Sequence, residues 1–431
     1  MTIARIYDSY EEQEAANEKL AALAQRSNPE QLLCELLPVR SSQKANAAMV
    51  MQVLTETASQ RDAALRWNLM TQEVEVEGRP LSPLARDGFY VLCQGRGYDI
   101  PKGEAIDALR FAAHGDAYHP VQDYLLSCRD QEPYDISRLA SQFLRPADLA
   151  GPETIYDRML VKTLVGAVRR AFEPGCQHDT CLVLQGEGGS RKTSFWRTLF
   201  DPWFTTFRGR IGDRDGLLTV HRFWGLELGE LDGITSQTHA GHLKNFLSTN
   251  IDSFRPPYGR SVAHVPRPSV FVGSCNEGTF LVDPTGNRRW WIIPVTRTRQ
   301  DQIDTDTLAR LKPCILAEAY RLYENGYTSY LNDADERQND LINDEFNEYN
   351  PLEESLNGFI RGRPDCPQIA PSELYEHLNR TCDISQKMTD RRIQNLVKSH
   401  MTRAGWSLKR IAATKTDKTR PRRWCRSLTG P

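Results

Sequence analysis

The eight residues Gly186-Glu187-Gly188-Gly189-Ser190-Arg191-Lys192-Thr193 constrain this chain more than any other stretch. They lie between a short apolar run, Cys181-Leu182-Val183-Leu184-Gln185, and a segment of helical pattern from Thr193 to Phe200. A run of that length reads as a strand buried on both faces. Strand, glycine-rich loop and helix in this order form a cradle for phosphate. Glycines let successive N–H groups approach an anion, because no Cβ stands in the way. Lys192 supplies a cation, the start of the helix adds the positive end of its dipole, and the Thr193 hydroxyl suits a magnesium ion. The residues expected at the nucleotide are Gly186, Gly188, Gly189, Ser190, Arg191, Lys192, Thr193 and Ser194. The expected ligands are ATP and Mg2+. The general pattern places glycine directly before the lysine, and here Arg191 stands there.

Further apolar runs follow at Arg222–Leu228 and Ser269–Gly273, separated by helical segments, so a mainly parallel sheet is expected. A nucleotide hydrolase needs a carboxylate at the end of a neighbouring strand, to hold magnesium-bound water and polarise the attacking one. Glu230 is the first choice, Glu227 is a candidate to share the task, and Asp232 ranks third. Asn276 ends the next run, where an amide either orients water against a terminal phosphate or caps a turn. Arg288 and Arg289 follow in a Gly/Pro-rich loop and suit phosphate contact, including contact across a subunit boundary.

Composition sets the broader frame. With 431 residues, 39% apolar and 26% charged, the chain reads as a multidomain globular protein. No apolar run of about 18 residues appears, so no membrane span is expected. The start lacks a signal-peptide pattern, and the ten cysteines include no CxxC pair. A cytoplasmic location with reduced thiols follows as the expectation. Cys176, His178 and Cys181 come nearest to a metal-ligand cluster but lack a second pair.

The near-neutral total of -2 conceals an acidic stretch from Asp333 to Glu354 and a basic tail. That tail has a helix near Pro371–Leu378, a second near Thr389–Ala404 and a basic β-like stretch to Leu428. Helix, helix and basic hairpin suggest a winged-helix-like domain, with Arg391, Arg392, Lys409, Arg410, Arg422 and Arg423 on DNA phosphates. A solvated or partner-binding tail is the alternative. Upstream, residues 66–158 read as mostly helical, with Gly88–Gln94 as a short extended piece, a turn at His119-Pro120 and a helix over Val121–Cys128. A helix over Asp157–Phe172 stops at Glu173-Pro174-Gly175, and an amphipathic helix is expected over Glu12–Gln25. The expected organisation is a helical arm (1–65), a mostly helical domain (66–175), an α/β core (176–300), a helical acidic segment (301–354) and a basic domain (355–431).

Several blocks together resemble the virulence-associated E family, a branch of the superfamily 3 helicases. They are Arg66-Trp67-Asn68, Tyr118-His119-Pro120 through Tyr124, Arg170 through Pro174-Gly175, and Gly229-Glu230-Leu231-Asp232. Lys244, Phe254-Arg255, Tyr258-Gly259-Arg260, Asn276 and Asp283 through Arg288-Arg289 extend the match. The resemblance implies an AAA+-like P-loop ATPase core, with Lys192 and Thr193 on the phosphate loop, Glu230 as the acidic residue and Asn276 as the sensor. It also implies Arg288 or Arg289 as a trans-acting finger and hence a hexameric ring. A channel hairpin would lie within Lys244–His264, where Lys244, Arg255, Tyr258 and Arg260 suit single-stranded DNA. With about 65 residues upstream the chain looks like a helicase without an attached primase, so a separate primase is an implied partner.

The leading expectation is therefore an ATP-driven DNA helicase or replication-initiation motor of a phage or mobile element. The alternative is a nucleotide-dependent DNA-binding switch or assembly module that does not unwind.

Overall fold

The computed structural model describes residues 28–146, 153–208, 212–229, 237–255, 262–276, 281, 287–346, 351–364, 366–382, 394, 397–398, 400–402, 404–411 and 422–426. The chain divides into two compact units, residues 1–347 and 348–431.

The first unit begins with a small α+β layer. Helix α1 (Ala47–Arg61) precedes β1 (Leu65–Asn68), β2 (Glu73–Val76) and β3 (Arg79–Pro80). Then come α2 (Phe89–Gly95), α3 (Lys102–His114) and β4 (Ala117–Tyr118). The four strands form one sheet in the order β3-β2-β1-β4. Glu77 and Gly78, both at positive φ, make the β2–β3 turn. Gly88–Gln94, expected as extended, is helical instead. Ser82 caps the preceding short helix by accepting from Ala85 N, and Phe89 and Cys93 are buried four residues apart on one face of α2.

Helix α4 (Pro120–Cys128) starts at a His119 cap, as the turn signal suggests. Helix α5 (Ile155–Phe172) opens with a capping box between Thr154 and Asp157. Around it forms a five-stranded sheet: β5 (Cys181–Gln185), β6 (Phe204–Phe207), β7 (Gly225–Leu228), β10 (Val270–Cys275) and β11 (Trp290–Pro294). Between these strands lie α6 (Lys192–Phe200), α7 (Arg214–Arg222), α8 (Gln237–Ser248) and the antiparallel hairpin of β8 (Ile251–Phe254) and β9 (Ala263–Pro266). The order is β11-β5-β10-β7-β6, and every pairing is parallel. The expectation of a parallel α/β core thus holds. The run at Arg222–Leu228 is shorter as a strand than expected, because Arg222 ends α7.

Helices α9 (Thr305–Glu324) and α10 (Asp333–Glu345) close the unit. Phe195, Trp196, Leu199 and Phe200 bury the inner face of α6, and Trp196 Nε1 donates to Gly273 O of β10 at 3.0 Å. That contact anchors the middle of α6 to β10.

The second unit holds α11 (Pro351–Arg361), β12 (Gln368–Ile369), α12 (Pro371–Cys382), β13 (Trp406–Arg410) and β14 (Arg422–Arg426). Its three strands are antiparallel in the order β12-β14-β13. Trp406 and Trp424 join Leu356, Leu374 and Leu378 in its core.

Candidate functional site

Parallel strands point their carboxyl ends to one edge of a sheet, and crevices outside that edge are where such folds bind ligands. The 186–191 loop leaves β5 there, between β10 and β11. Gly186 N donates to Cys275 O at 3.1 Å, and Val295 N donates to Gln185 O at 2.7 Å, so both neighbours hold the loop's first turn. A Cβ on Gly186 would stand 2.5 Å from Val295 O, and Gly189 has φ +88. A larger residue would force movement at Gly186 and would be strained by the backbone conformation at Gly189.

Arg191 is the exception. It occupies the left-handed region, φ 70 and ψ 31, as the residue preceding α6. The pattern's usual glycine has this freedom at no cost, whereas an L residue loses about 1–2 kcal/mol there. The loop therefore keeps the expected backbone at Arg191 despite the departure in sequence. Its guanidinium donates to Thr305 Oγ1 at 3.2 Å.

Lys192 is 6% exposed. Its Nζ donates to Gly186 O at 2.7 Å, Glu187 O at 2.8 Å and Asn276 Oδ1 at 2.9 Å. Asn276 thus faces the loop's cation from the end of β10. Ser190, fully buried, donates to Glu187 O at 2.8 Å, and Ser194 lies in the first turn of α6.

Thr193 points toward β7, one strand beyond β10, where its hydroxyl donates to Glu227 Oε1 at 2.8 Å. Ser274 of β10 donates to the same oxygen at 2.6 Å, and Thr206 of β6 donates to Oε2 at 3.2 Å. Glu227 is 2% exposed, yet among the described residues it has no ion-pair partner. A buried carboxylate held only by hydroxyls lacks the countercharge that buried charges normally find in a partner or a metal. No group of three or more His, Cys, Asp or Glu among the described residues could hold a metal ion. A cation here would instead need one carboxylate, hydroxyls and a ligand's phosphate oxygens, the set that magnesium uses.

Glu230 and Asp232, the first and third choices for the acidic role, lie outside the described residues. The second choice, Glu227, is the carboxylate that the structure brings to Thr193. Ser274 and Thr206 were not anticipated from the sequence. They come from neighbouring strands, and only sheet register sets Thr206 opposite Glu227.

The arginines sit at the other edge of the sheet. Arg288 Nη2 is 3.2 Å and Arg289 Nε 3.6 Å from Asp179 Oδ2, just before β5 begins. Arg289 also donates to Ser248 Oγ at 2.8 Å. A strand such as β5 spans about 16 Å, so neither arginine reaches the loop of its own chain.

The hairpin expected before the sensor is present as β8–β9. Arg255 directly follows β8 and is exposed, while Tyr258 and Arg260 lie outside the described residues. Lys244 lies in α8 and not in the hairpin, 7% exposed, with Nζ 3.4 Å from Asn287 Oδ1. At the hairpin's foot, Asp252 takes both Nε and Nη2 of Arg267, at 2.8 and 2.6 Å, and contacts His221 Nε2 at 3.0 Å. Arg170 joins by donating to Arg267 O at 2.9 Å, and burial lowers its guanidinium to about 10. A cavity of about 310 Å³ adjoins this network, lined by His119, Pro174, His221 and Phe254 among others. No residue of the loop lines it, and its lining is mostly apolar.

In the second unit, register sets Lys409 opposite Arg423 and Arg410 opposite Arg422. Arg391 and Arg392 lie outside the described residues.

Fold and site together define a mixed α/β protein with a parallel sheet and a glycine-rich loop–helix junction at its carboxyl edge. The chain belongs to the virulence-associated protein E-like family, whose domain model matches residues 128–348. Among solved structures, it is similar to the apo structure of the NrS-1 C terminal region (305–718). That match has 11% identity and a TM-score of 0.47, and covers 89% of this chain and 99% of the other. An A form of the same region aligns at 10% identity and a TM-score of 0.47, covering 88% and 99%. No curated protein matches the chain. Among the described residues, no helix is long and apolar enough to cross a membrane.

Proposed function

We propose that this chain is an ATP-hydrolysing, DNA-directed motor of the superfamily 3 helicase type, serving replication of a phage or mobile element. The observation that carries the reading is the junction of Lys192, Thr193, Glu227 and Asn276 at one loop. In this reading the core is an AAA+-like P-loop ATPase, and the place of β5 between β10 and β11, with the loop at its carboxyl end, supports it. The loop's N–H groups and Lys192 bind the triphosphate. Thr193 and Glu227 would hold Mg2+, and Glu230, just beyond β7 in sequence, is the further carboxylate proposed for it. The ion supplies charge neutralisation on the phosphates. Asn276 orients the attacking water.

Arg288 and Arg289 act on the loop of a neighbouring subunit, which requires a ring, proposed as a hexamer. Their place at the sheet's opposite edge supports action in trans, because they cannot serve their own loop. Arg255, Tyr258 and Arg260 of the hairpin track the single strand. The second unit is read as a winged-helix-like domain that binds origin DNA, and a separate primase is proposed as partner. Like charges placed directly opposite across a strand pair are destabilising, so Lys409–Arg423 and Arg410–Arg422 favour a polyanion that neutralises them. The test is ATP hydrolysis with and without single-stranded DNA. DNA-stimulated turnover that disappears in Lys192→Ala supports the motor, and a native chain without turnover refutes it.

A further inference from the structure

The phosphate loop is flanked by two arginines that neither the general loop pattern nor the core's own packing requires. Arg191 holds a backbone conformation that glycine would adopt freely. Strain of this kind clusters at functional sites, where the side chain serves something other than stability. Arg191 donates to one neutral hydroxyl, Thr305 Oγ1, a weak return for a strained backbone.

Arg299 approaches from the segment after β11. A Cβ built on Gly189 would lie 3.4 Å from Arg299 Cγ and 3.6 Å from its Cδ, so the arginine's stem runs along the loop. The segment is fixed there by two bonds. Ile303 N donates to Ser190 O at 3.1 Å, and Gln302 Nε2 donates to Gly189 O at 2.8 Å. Arg299 is exposed and, among the described residues, its guanidinium has no hydrogen-bond or ion-pair partner. No carboxylate among the described residues, Glu187 of the loop included, pairs with either arginine.

The geometry points to Arg191 and Arg299 as a same-chain arginine clamp on the polyphosphate of the bound nucleotide, acting beside Lys192 from the loop's outer side. The inference rests on the triphosphate reading above. Guanidinium groups suit this task because their planar donor fork matches phosphate oxygens two at a time. A strained arginine is then kept because it adds a second kind of phosphate contact, which a glycine cannot supply.

The test is ATP affinity in the full chain, measured by titration at several salt concentrations. The variants are Arg191→Gly, Arg191→Ala, Arg299→Ala and, as reference, Lys192→Ala. Each arginine variant is expected to bind ATP about tenfold more weakly, as when one charge-assisted contact to phosphate is lost. Each should also flatten the dependence of affinity on salt, which a merely structural role would not change. Arg191→Gly is the most telling, because it relieves the backbone and so should keep or raise the Tm while losing affinity. Native ATP affinity and salt dependence in Arg191→Gly and Arg299→Ala, with loss in Lys192→Ala, would overturn the clamp alone. A native chain that binds no ATP would overturn both the clamp and the proposed function.

Discussion

The Thr193 hydroxyl and the Glu227 carboxylate, 34 residues apart in sequence, meet at 2.8 Å across the gap between α6 and β7. Ser274 donates to the same oxygen at 2.6 Å, so two hydroxyls converge on one buried charge. If the pair holds Mg2+ together, the effects of Thr193→Ala and Glu227→Gln on magnesium dependence will not add. Either change alone should cut turnover about a hundredfold or more, the scale of losing a group that stabilises developing charge. The double variant should be little worse than the poorer single one. Thr193→Ser, which keeps the hydroxyl, should retain most activity. Additive losses would separate the two residues.

His178 gives a prediction about pH. Burial lowers its imidazole to about 3 from an ordinary 6.5, and neither ring nitrogen has a hydrogen-bond partner among the described residues. The folded protein therefore keeps the ring neutral while the unfolded chain takes up a proton. Its contribution is complete above pH 6.5 and is lost as pH falls toward 3, at about 1.4 kcal/mol per unit. His178→Phe removes this penalty. Urea unfolding should show its stability relative to the native chain rising by about 2 kcal/mol between pH 7 and pH 5. An equal difference at both pH values would mean that the ring titrates normally in the fold.

The hairpin's foot depends on a buried ion pair. Burial pushes the Asp252 carboxyl up, but hydrogen bonds from His221 and Arg267 outweigh it and hold the group below its ordinary 3.8. Its stabilisation is present above that value and lost as pH falls below it. Asp252→Asn would leave Arg267, 1% exposed, without its countercharge, at a cost of about 3–5 kcal/mol. Chemical denaturation near pH 7 measures this, and a loss under 1 kcal/mol would show that the network is dispensable.

The DNA contact proposed for the second unit can be tested apart from that proposed for the core. Arg422→Ala with Arg423→Ala should weaken DNA binding and reduce the slope of log affinity against log salt by about one to two. Arg423 also faces Glu373 at 3.9 Å, so a variant at Arg422 alone is the cleaner measure of one phosphate contact. An unchanged slope would assign this strand pair to another partner.

The loop and its flanking strand and helix were legible because their signals are local. An apolar run, glycines and a lysine occupy one continuous stretch, and the parallel sheet follows from strands alternating with helices. Two failures have physical causes. Phe89-Tyr90-Val91-Leu92-Cys93 has the residue types of a strand, yet the burial of Phe89 and Cys93 on one face makes it helical. The β2–β3 hairpin carries a signal of its own, since Glu73-Val74-Glu75-Val76 alternates and Glu77-Gly78 supplies the turn, yet the helical pattern around it hides so short a pair. Thr206 and Ser274 carry no local signal, since their role arises only when strand register brings them to Glu227. The choice between Glu227 and Glu230 needed the same register, because both acids stand near the end of one apolar run. Arg191 looked like a defect in the loop, whereas its backbone keeps the left-handed turn of the usual glycine.

The most direct test of the central claim is ATP turnover of the full chain, with and without single-stranded DNA, for the native protein and for Glu227→Gln. The native chain is expected to show turnover that DNA stimulates, and the variant to lose turnover with ATP still bound. Native turnover in Glu227→Gln, or no turnover in the native chain with DNA present, would contradict it.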